Sequence, residues 1–108
     1  MSHLTAHVLD TMTGTPATGI VLHLEAADGE RIASARTDAD GRARELGPAV
    51  LDPGEYRITF QTGEYFAGRD QATFFPRVTV DFTVQPDQDH YHVPLLLSPF
   101  AFSTYRGS

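Results

Sequence analysis

The stretch His90-Tyr91-His92-Val93-Pro94-Leu95-Leu96-Leu97-Ser98-Pro99-Phe100-Ala101-Phe102-Ser103-Thr104-Tyr105-Arg106-Gly107-Ser108 decides how the rest of the chain is read. It alternates as two strands broken at Ser98-Pro99. In the first, Tyr91, Val93, Leu95 and Leu97 point to one face, and His92, Pro94 and Leu96 to the other. In the second, Phe100, Phe102 and Thr104 alternate with Ala101, Ser103 and Tyr105. Chain ends are usually frayed and polar. This one keeps its pattern almost to the last residue, so the segment is expected to be held in the structure. The face that carries His92 also carries Leu96, which is apolar for a surface open to water. A second copy of the chain is the simplest cover for it.

Upstream, the same two-residue period recurs. Leu4 to Asp10 reads as a strand, with Leu4, Ala6 and Val8 on one side and Thr5, His7 and Leu9 on the other. Asp10 through Gly19, rich in Thr, Gly and Pro, reads as a loop. Ile20, Leu22, Leu24 and Ala26 alternate with Val21, His23 and Glu25 in a second strand. Asp28-Gly29 is a hairpin turn, and Arg31 to Arg36 return from it. Thr37-Asp38-Ala39-Asp40-Gly41-Arg42 is a turn whose aspartates can accept bonds from nearby amides and whose Gly41 can take a left-handed conformation. Pro53-Gly54 turns the chain into a strand opened by Tyr56, Ile58 and Phe60. The period changes between Thr62 and Gln71, where Glu64-Tyr65-Phe66-Ala67 fits one or two helical turns. Pro76 opens the clearest strand, with Val78, Val80, Phe82 and Val84 on one face. Pro86 to Asp89 then turn into the terminal pair. About seven or eight short strands with turn chemistry between them give an all-β class, and a two-sheet sandwich rather than a barrel.

Composition narrows the function. At 108 residues the chain is expected to be one domain, residues 1–108, with an ordinary hydrophobic share of 41% that argues against disorder. The absence of cysteine excludes disulfides, thiolate metal sites and a cysteine nucleophile. A formal net charge of -6 argues against nucleic acid as a partner. No segment approaches the roughly 20 apolar residues of a membrane span. Met1-Ser2-His3-Leu4-Thr5 lacks the basic and apolar regions of a signal peptide, so a cytoplasmic location is expected. There is no Gly-x-Ser-x-Gly elbow and no glycine-rich phosphate loop.

The five histidines carry the chemistry that remains. His7 and His92 each lie on the non-core face of a strand, and imidazoles move protons near neutral pH; the plain alternative is two solvated surface side chains. His90 and His92, like His3 and His7, have a spacing that suits a metal, but no carboxylate shares their face and no metal is expected. His3, near a loose terminus, and His23, beside Glu25, are expected to be solvated. Arg42 follows the tight turn, and its planar fork suits an anionic or carbonyl-rich ligand, although it also reads as an ordinary surface arginine. The pattern alone reaches an all-β sandwich with an apolar, histidine-bearing outer face, and no substrate.

A resemblance goes further. Leu4-Thr5-Ala6-His7-Val8-Leu9-Asp10-Thr11, with Gly14 and Pro16-Ala17, resembles the opening of the 5-hydroxyisourate hydrolases, also called transthyretin-related proteins. Thr37-Asp38-Ala39-Asp40-Gly41-Arg42 and Phe74-Phe75-Pro76-Arg77-Val78 resemble their next two blocks. Tyr91-His92-Val93-Pro94-Leu95-Leu96-Leu97-Ser98-Pro99 and the terminal Tyr105-Arg106-Gly107-Ser108 resemble the fourth block and the C-terminal signature. The match runs in family order from Leu4 to Ser108. The Thr-Asp-x-Asp-Gly turn and Leu51-Asp52-Pro53-Gly54-Glu55-Tyr56 occur widely in prealbumin-like sandwiches. The terminal Tyr-Arg-Gly-Ser is much more specific and separates the hydrolases from true transthyretins. Ala6, where a second Thr is common, is a departure on the core-facing side.

The resemblance implies a transthyretin-like (prealbumin-like) sandwich of two four-stranded sheets with one short helix. It implies a homotetramer, a dimer of dimers, with active sites at the dimer–dimer interface. The implied reaction is hydrolysis of 5-hydroxyisourate to 2-oxo-4-hydroxy-4-carboxy-5-ureidoimidazoline, on the way from urate to allantoin, with no cofactor. Carried over by position, His7, Arg42, His92 and Ser108 would be catalytic. His7, Arg42 and Tyr105 would bind substrate. The competing readings are a transthyretin-type carrier of small aromatic ligands, a structural prealbumin-like domain of surface adhesins, and a metal-binding protein using His90 and His92.

Overall fold

The computed structural model describes residues 2–108. Among them, strands β1 (Leu4–Asp10), β2 (Thr15–Pro16), β3 (Val21–Ala26), β4 (Arg31–Arg36), β5 (Arg42–Ala43) and β6 (Gly54–Phe60) precede helix α1 (Thr62–Ala67). Strands β7 (Val78–Val84), β8 (Tyr91–Leu97) and β9 (Phe102–Thr104) follow it. One sheet runs β4-β3-β6-β7 and the other β2-β1-β8-β9, with β5 also paired to β1. The sandwich therefore has the expected two layers and short helix. The sheet that holds β1 and β8 gains a fifth strand, β5, a two-residue pairing too short to show as alternation.

The core lies between the sheets and follows the period-2 pattern. Leu4, Ala6 and Val8 of β1 are buried, as are Leu22 and Leu24 of β3, Ile58 and Phe60 of β6, and Tyr91, Val93, Leu95 and Leu97 of β8. Burying an aliphatic or phenyl side chain of this size contributes about 1.5–3 kcal/mol each. Helix α1 adds buried Phe66 to the same cluster. Its Tyr65 hydroxyl donates to Asp10 Oδ2 at 2.8 Å, which ties the helix to the end of β1. Burial first, then that hydrogen bond, pushes the Tyr65 phenol up to about 12.

Every other strand pairing is antiparallel, but β1 and β8 run parallel, from Leu4 opposite Tyr91 to Asp10 opposite Leu97. This pairing lays the two chemistry-bearing strands side by side. Pro94 then shapes the other flank of β8. Strand β9 pairs with β8 as far as Leu95 opposite Thr104, and the ladder resumes in the same register with His92 opposite Gly107. In an antiparallel pair every second residue exchanges N–H···O bonds with its partner, and Pro94, opposite Tyr105, has no N–H to give. The Thr104 hydroxyl instead donates to the Pro94 carbonyl at 2.7 Å.

One expectation is overturned. His3 is not solvated; it is only 5% exposed. Its amide donates to the Pro48 carbonyl, and its own carbonyl accepts from the Tyr91 amide. Its Nδ1 accepts from the Leu51 amide at 2.8 Å, and its Nε2 donates to the Gln88 carbonyl at 2.8 Å. The start of the chain is pinned between two loops because the ring satisfies one buried donor and one acceptor at once. His23 is half-buried and bonded through Nδ1 to the Ser34 hydroxyl on the neighbouring strand at 2.8 Å.

Candidate active site

Alternation along β1 places Thr5 and His7 on the outer face, between buried Leu4, Ala6 and Val8. In the parallel register Thr5 lies opposite His92, and His7 opposite Pro94. The His7 and His92 rings are therefore diagonal neighbours, with centroids 6.4 Å apart and planes inclined by 26°. His7 Nε2 lies 3.1 Å from the Asp40 carbonyl. A carbonyl only accepts, so Nε2 carries a proton and the neutral ring keeps its lone pair on Nδ1.

Arg42 arrives on β5, in register with His7. The turn before it is built by Asp38, whose Oδ1 accepts from the Asp40 and Arg42 amides at 2.9 and 3.0 Å. The Arg42 amide bond is the leading reason that the Asp38 carboxyl stays below the usual carboxylate range. Gly41 has φ +74°, and a Cβ there would lie 2.5 Å from the Val8 carbonyl oxygen, so the turn can press against β1 only with glycine at this point. Arg44 takes both carboxylates of the turn, at 3.1 Å to Asp38 and 3.1 Å to Asp40. Among the described residues no hydrogen bond or ion pair engages the Arg42 guanidinium. Its five donors are left for a ligand.

His92 is held from three sides. Its Nδ1 lies 2.8 Å from Thr5 Oγ1, which also lies 3.1 Å from His90 Nε2. Its carbonyl accepts from the Gly107 amide at 2.8 Å. Gly107 packs against the ring itself, since a Cβ there would come within 2.6 Å of His92 Cδ2. Burial lowers the His92 pKa, and the nearby positive charges of Arg42, His7 and His90 lower it further, in that order. The ring thus stays neutral to lower pH than an ordinary imidazole, as a general base requires.

These groups surround a groove of about 190 Å³, lined by Thr5, Arg42, Arg44, His90, His92 and Ser108. His7 stands beside it through its contact with His92. The structure thus brings His7, Arg42, His92 and Ser108 together. Tyr105 is 58% exposed and lines a second cavity of about 370 Å³ with Val80, Phe82, Tyr91 and Arg106. His92 borders both spaces. Sequence reasoning missed Thr5 and Gly107. Thr5 shows only its place two residues before His7, and its partner emerges only from the parallel register. Among the described residues no group of three His, Cys, Asp or Glu side chains is disposed to hold a metal ion. His90 and His92 share the Thr5 hydroxyl instead. Chemically, the arrangement offers two imidazoles for proton transfer, a free guanidinium for developing negative charge and a hydroxyl for orientation.

Comparison with known proteins agrees with the fold. A 5-hydroxyisourate hydrolase of Caulobacter vibrioides is 44% identical, with 100% of both chains covered. The structure of Klebsiella pneumoniae 5-hydroxyisourate hydrolase superposes with a TM-score of 0.91 at 41% identity, covering 99% of this chain and 100% of that one. Sea bream transthyretin in complex with thyroxine superposes with a TM-score of 0.89 at 33% identity, covering 97% of this chain and 94% of that one. The profile of the HIUase/transthyretin family matches residues 4–107, and the chain belongs to that family.

Proposed function

We propose that the protein hydrolyses 5-hydroxyisourate to 2-oxo-4-hydroxy-4-carboxy-5-ureidoimidazoline in urate degradation. The observation that carries this reading is the pair of apposed imidazoles, His7 and His92, beside an unengaged Arg42 guanidinium. Relatives named for that hydrolysis, 44% identical over nearly the whole chain, support it. The substrate is a cyclic amide with an electrophilic ring carbonyl, so a positioned water is nucleophile enough and no covalent intermediate is needed. His7 and His92 orient and deprotonate that water, a contribution typically worth about 10² to 10⁴ in rate. Arg42 holds the substrate oxygens and stabilises the oxyanion as it forms. Ser108 fixes the ring by hydrogen bonding in the groove, and Tyr105 reaches it from the adjoining cavity.

The working form is a homotetramer, a dimer of dimers. A groove of about 190 Å³ is smaller than the ~300 Å³ at which ligand cavities usually begin. A second copy of the chain would complete it and cover the half-buried Leu96. Turnover by His7→Ala, His92→Ala and Arg42→Ala tests the assignment: each is expected to fall by about 10² or more, and near-normal rates in all three would overturn it. The likeness to a thyroxine-bound transthyretin and the larger, mostly apolar cavity favour one second reading, a carrier of small aromatic ligands. That reading predicts ligand binding that survives all three substitutions.

A further inference from the structure

A threonine hydroxyl stands between two imidazoles at the edge of the groove. The parallel register sets Thr5 opposite His92, and His90 lies two residues away on the strand's approach. Thr5 Oγ1 is 2.8 Å from His92 Nδ1 and 3.1 Å from His90 Nε2. His92 is half-buried, while His90 is exposed. A hydroxyl has one proton and two lone pairs, so it can accept from one ring while donating to the other. That is the minimum requirement for passing a proton along a chain of hydrogen bonds.

We propose that His92, Thr5 and His90 form a proton relay, in which His90 stores the proton taken from water until the ring C–N bond breaks. The relay rests on the reading of His92 as the base of the hydrolase. At rest, His92 Nδ1–H donates to Thr5 Oγ1, and the Thr5 hydroxyl donates to His90 Nε2. His92 Nε2 then presents its lone pair to the water. As the water's oxygen adds to the carbonyl, its proton passes to His92 Nε2. The Nδ1 proton of His92 moves to Thr5, and the Thr5 proton moves to His90 Nε2. His92 is neutral again, and the positive charge sits on exposed His90. When the C–N bond breaks, His92 Nε2–H protonates the leaving nitrogen. In the same step the stored proton returns through Thr5 to His92 Nδ1, so the ring never becomes an anion. The net change is one water added across one amide bond, with all three side chains restored.

The surroundings favour moving the charge outward. Facing His92 are His7 on β1, Arg42 and Arg44 at β5, Tyr105 and Arg106 after β9, and Asp81 across the adjoining cavity on β7. Arg44 is paired with Asp38 and Asp40, but the Arg42 guanidinium is unengaged and opposes an imidazolium at half-buried His92, whereas one at exposed His90 is solvated.

Four variants and a spectrum test the relay in the intact protein. The variants are Thr5→Val, which removes the hydroxyl at nearly constant shape, Thr5→Ser, which keeps it, His90→Gln, which bonds but cannot store a proton, and His92→Ala. Thr5→Val and His90→Gln are each expected to lower kcat about tenfold or more, part of the ~10² to 10⁴ that a general base supplies, while Thr5→Ser stays within about twofold. Added imidazole buffer should restore His90→Gln and leave the wild type unchanged. Nitrogen-15 NMR of the free protein should show His92 protonated at Nδ1, and the tautomer should redistribute in Thr5→Val. Unchanged kcat in His90→Gln, or a bare His92 Nδ1 in the wild type, overturns the relay while an inactive His92→Ala leaves the hydrolase reading standing. Full activity in His92→Ala overturns both. Should Thr5→Val melt much lower than the wild type, His90→Gln and the wild-type spectrum decide.

Discussion

At the scale of single residues, the site depends on what is missing from two glycines and on what surrounds one histidine. Gly107→Ala would push a methyl into the His92 ring, where the available gap is 2.6 Å. Because Gly107 is half-buried and joined to β8 only by a single bridge opposite His92, kcat/KM is expected to fall about tenfold or more while thermal stability changes little; an unchanged rate would contradict the packing. The titration of His92 has a definite sign. Burial and the charges of Arg42, His7 and His90 hold its pKa below the ordinary value of ~6.5. As pH falls, the unfolded chain therefore binds this proton first. The stability that this neutral ring contributes is complete above ~6.5 and is lost as pH drops through the lower folded-state value. Arg42→Gln removes one positive neighbour, so the His92 resonance in an NMR titration should move at higher pH than in the wild type. No movement, or movement to lower pH, would contradict the electrostatic account.

At the scale of elements, the buried His3 is the clearest case of local sequence failing to report structure. Its position near the chain start suggested solvent, but its ring joins the Leu51 amide to the Gln88 carbonyl. His3→Ala leaves a buried amide without an acceptor and is expected to cost about 1–3 kcal/mol. Urea unfolding measures this loss, and kcat should be retained because His3 lies outside the groove. The alternation of β1, β3, β6, β7 and β8 was legible, because each has one buried face and its period is fixed by the pleat. The helix was legible from the break in that period at Thr62. The two-residue strands β2 and β5 were not, being shorter than one repeat of the pattern. Nor was the parallel pairing of β1 with β8, since alternation states which face is buried but not which strand lies alongside. His7, Arg42, His92 and Ser108 could be named from motifs, whereas the Thr5 contact with His92 is created by that pairing.

At the scale of the whole molecule, the outer face is more apolar than a lone subunit requires. Phe74 and Phe100 are 73% and 64% exposed, and Phe75 packs edge-to-face on both Phe74 and Phe102. Patches of this kind mark surfaces that associate. Sedimentation is expected to give a tetramer, and Leu96→Asp, which places a charge on the face of β8 that the tetramer would cover, should yield a smaller species with reduced turnover. A wild-type monomer with full activity would contradict the assembly. The most direct test of the central claim is the reaction itself. Urate oxidase generates 5-hydroxyisourate in the cuvette, purified protein is added, and loss of the intermediate's ultraviolet absorbance is followed against its spontaneous decay. The account predicts a marked acceleration that disappears in His92→Ala; decay at the spontaneous rate with a folded wild-type protein would contradict it.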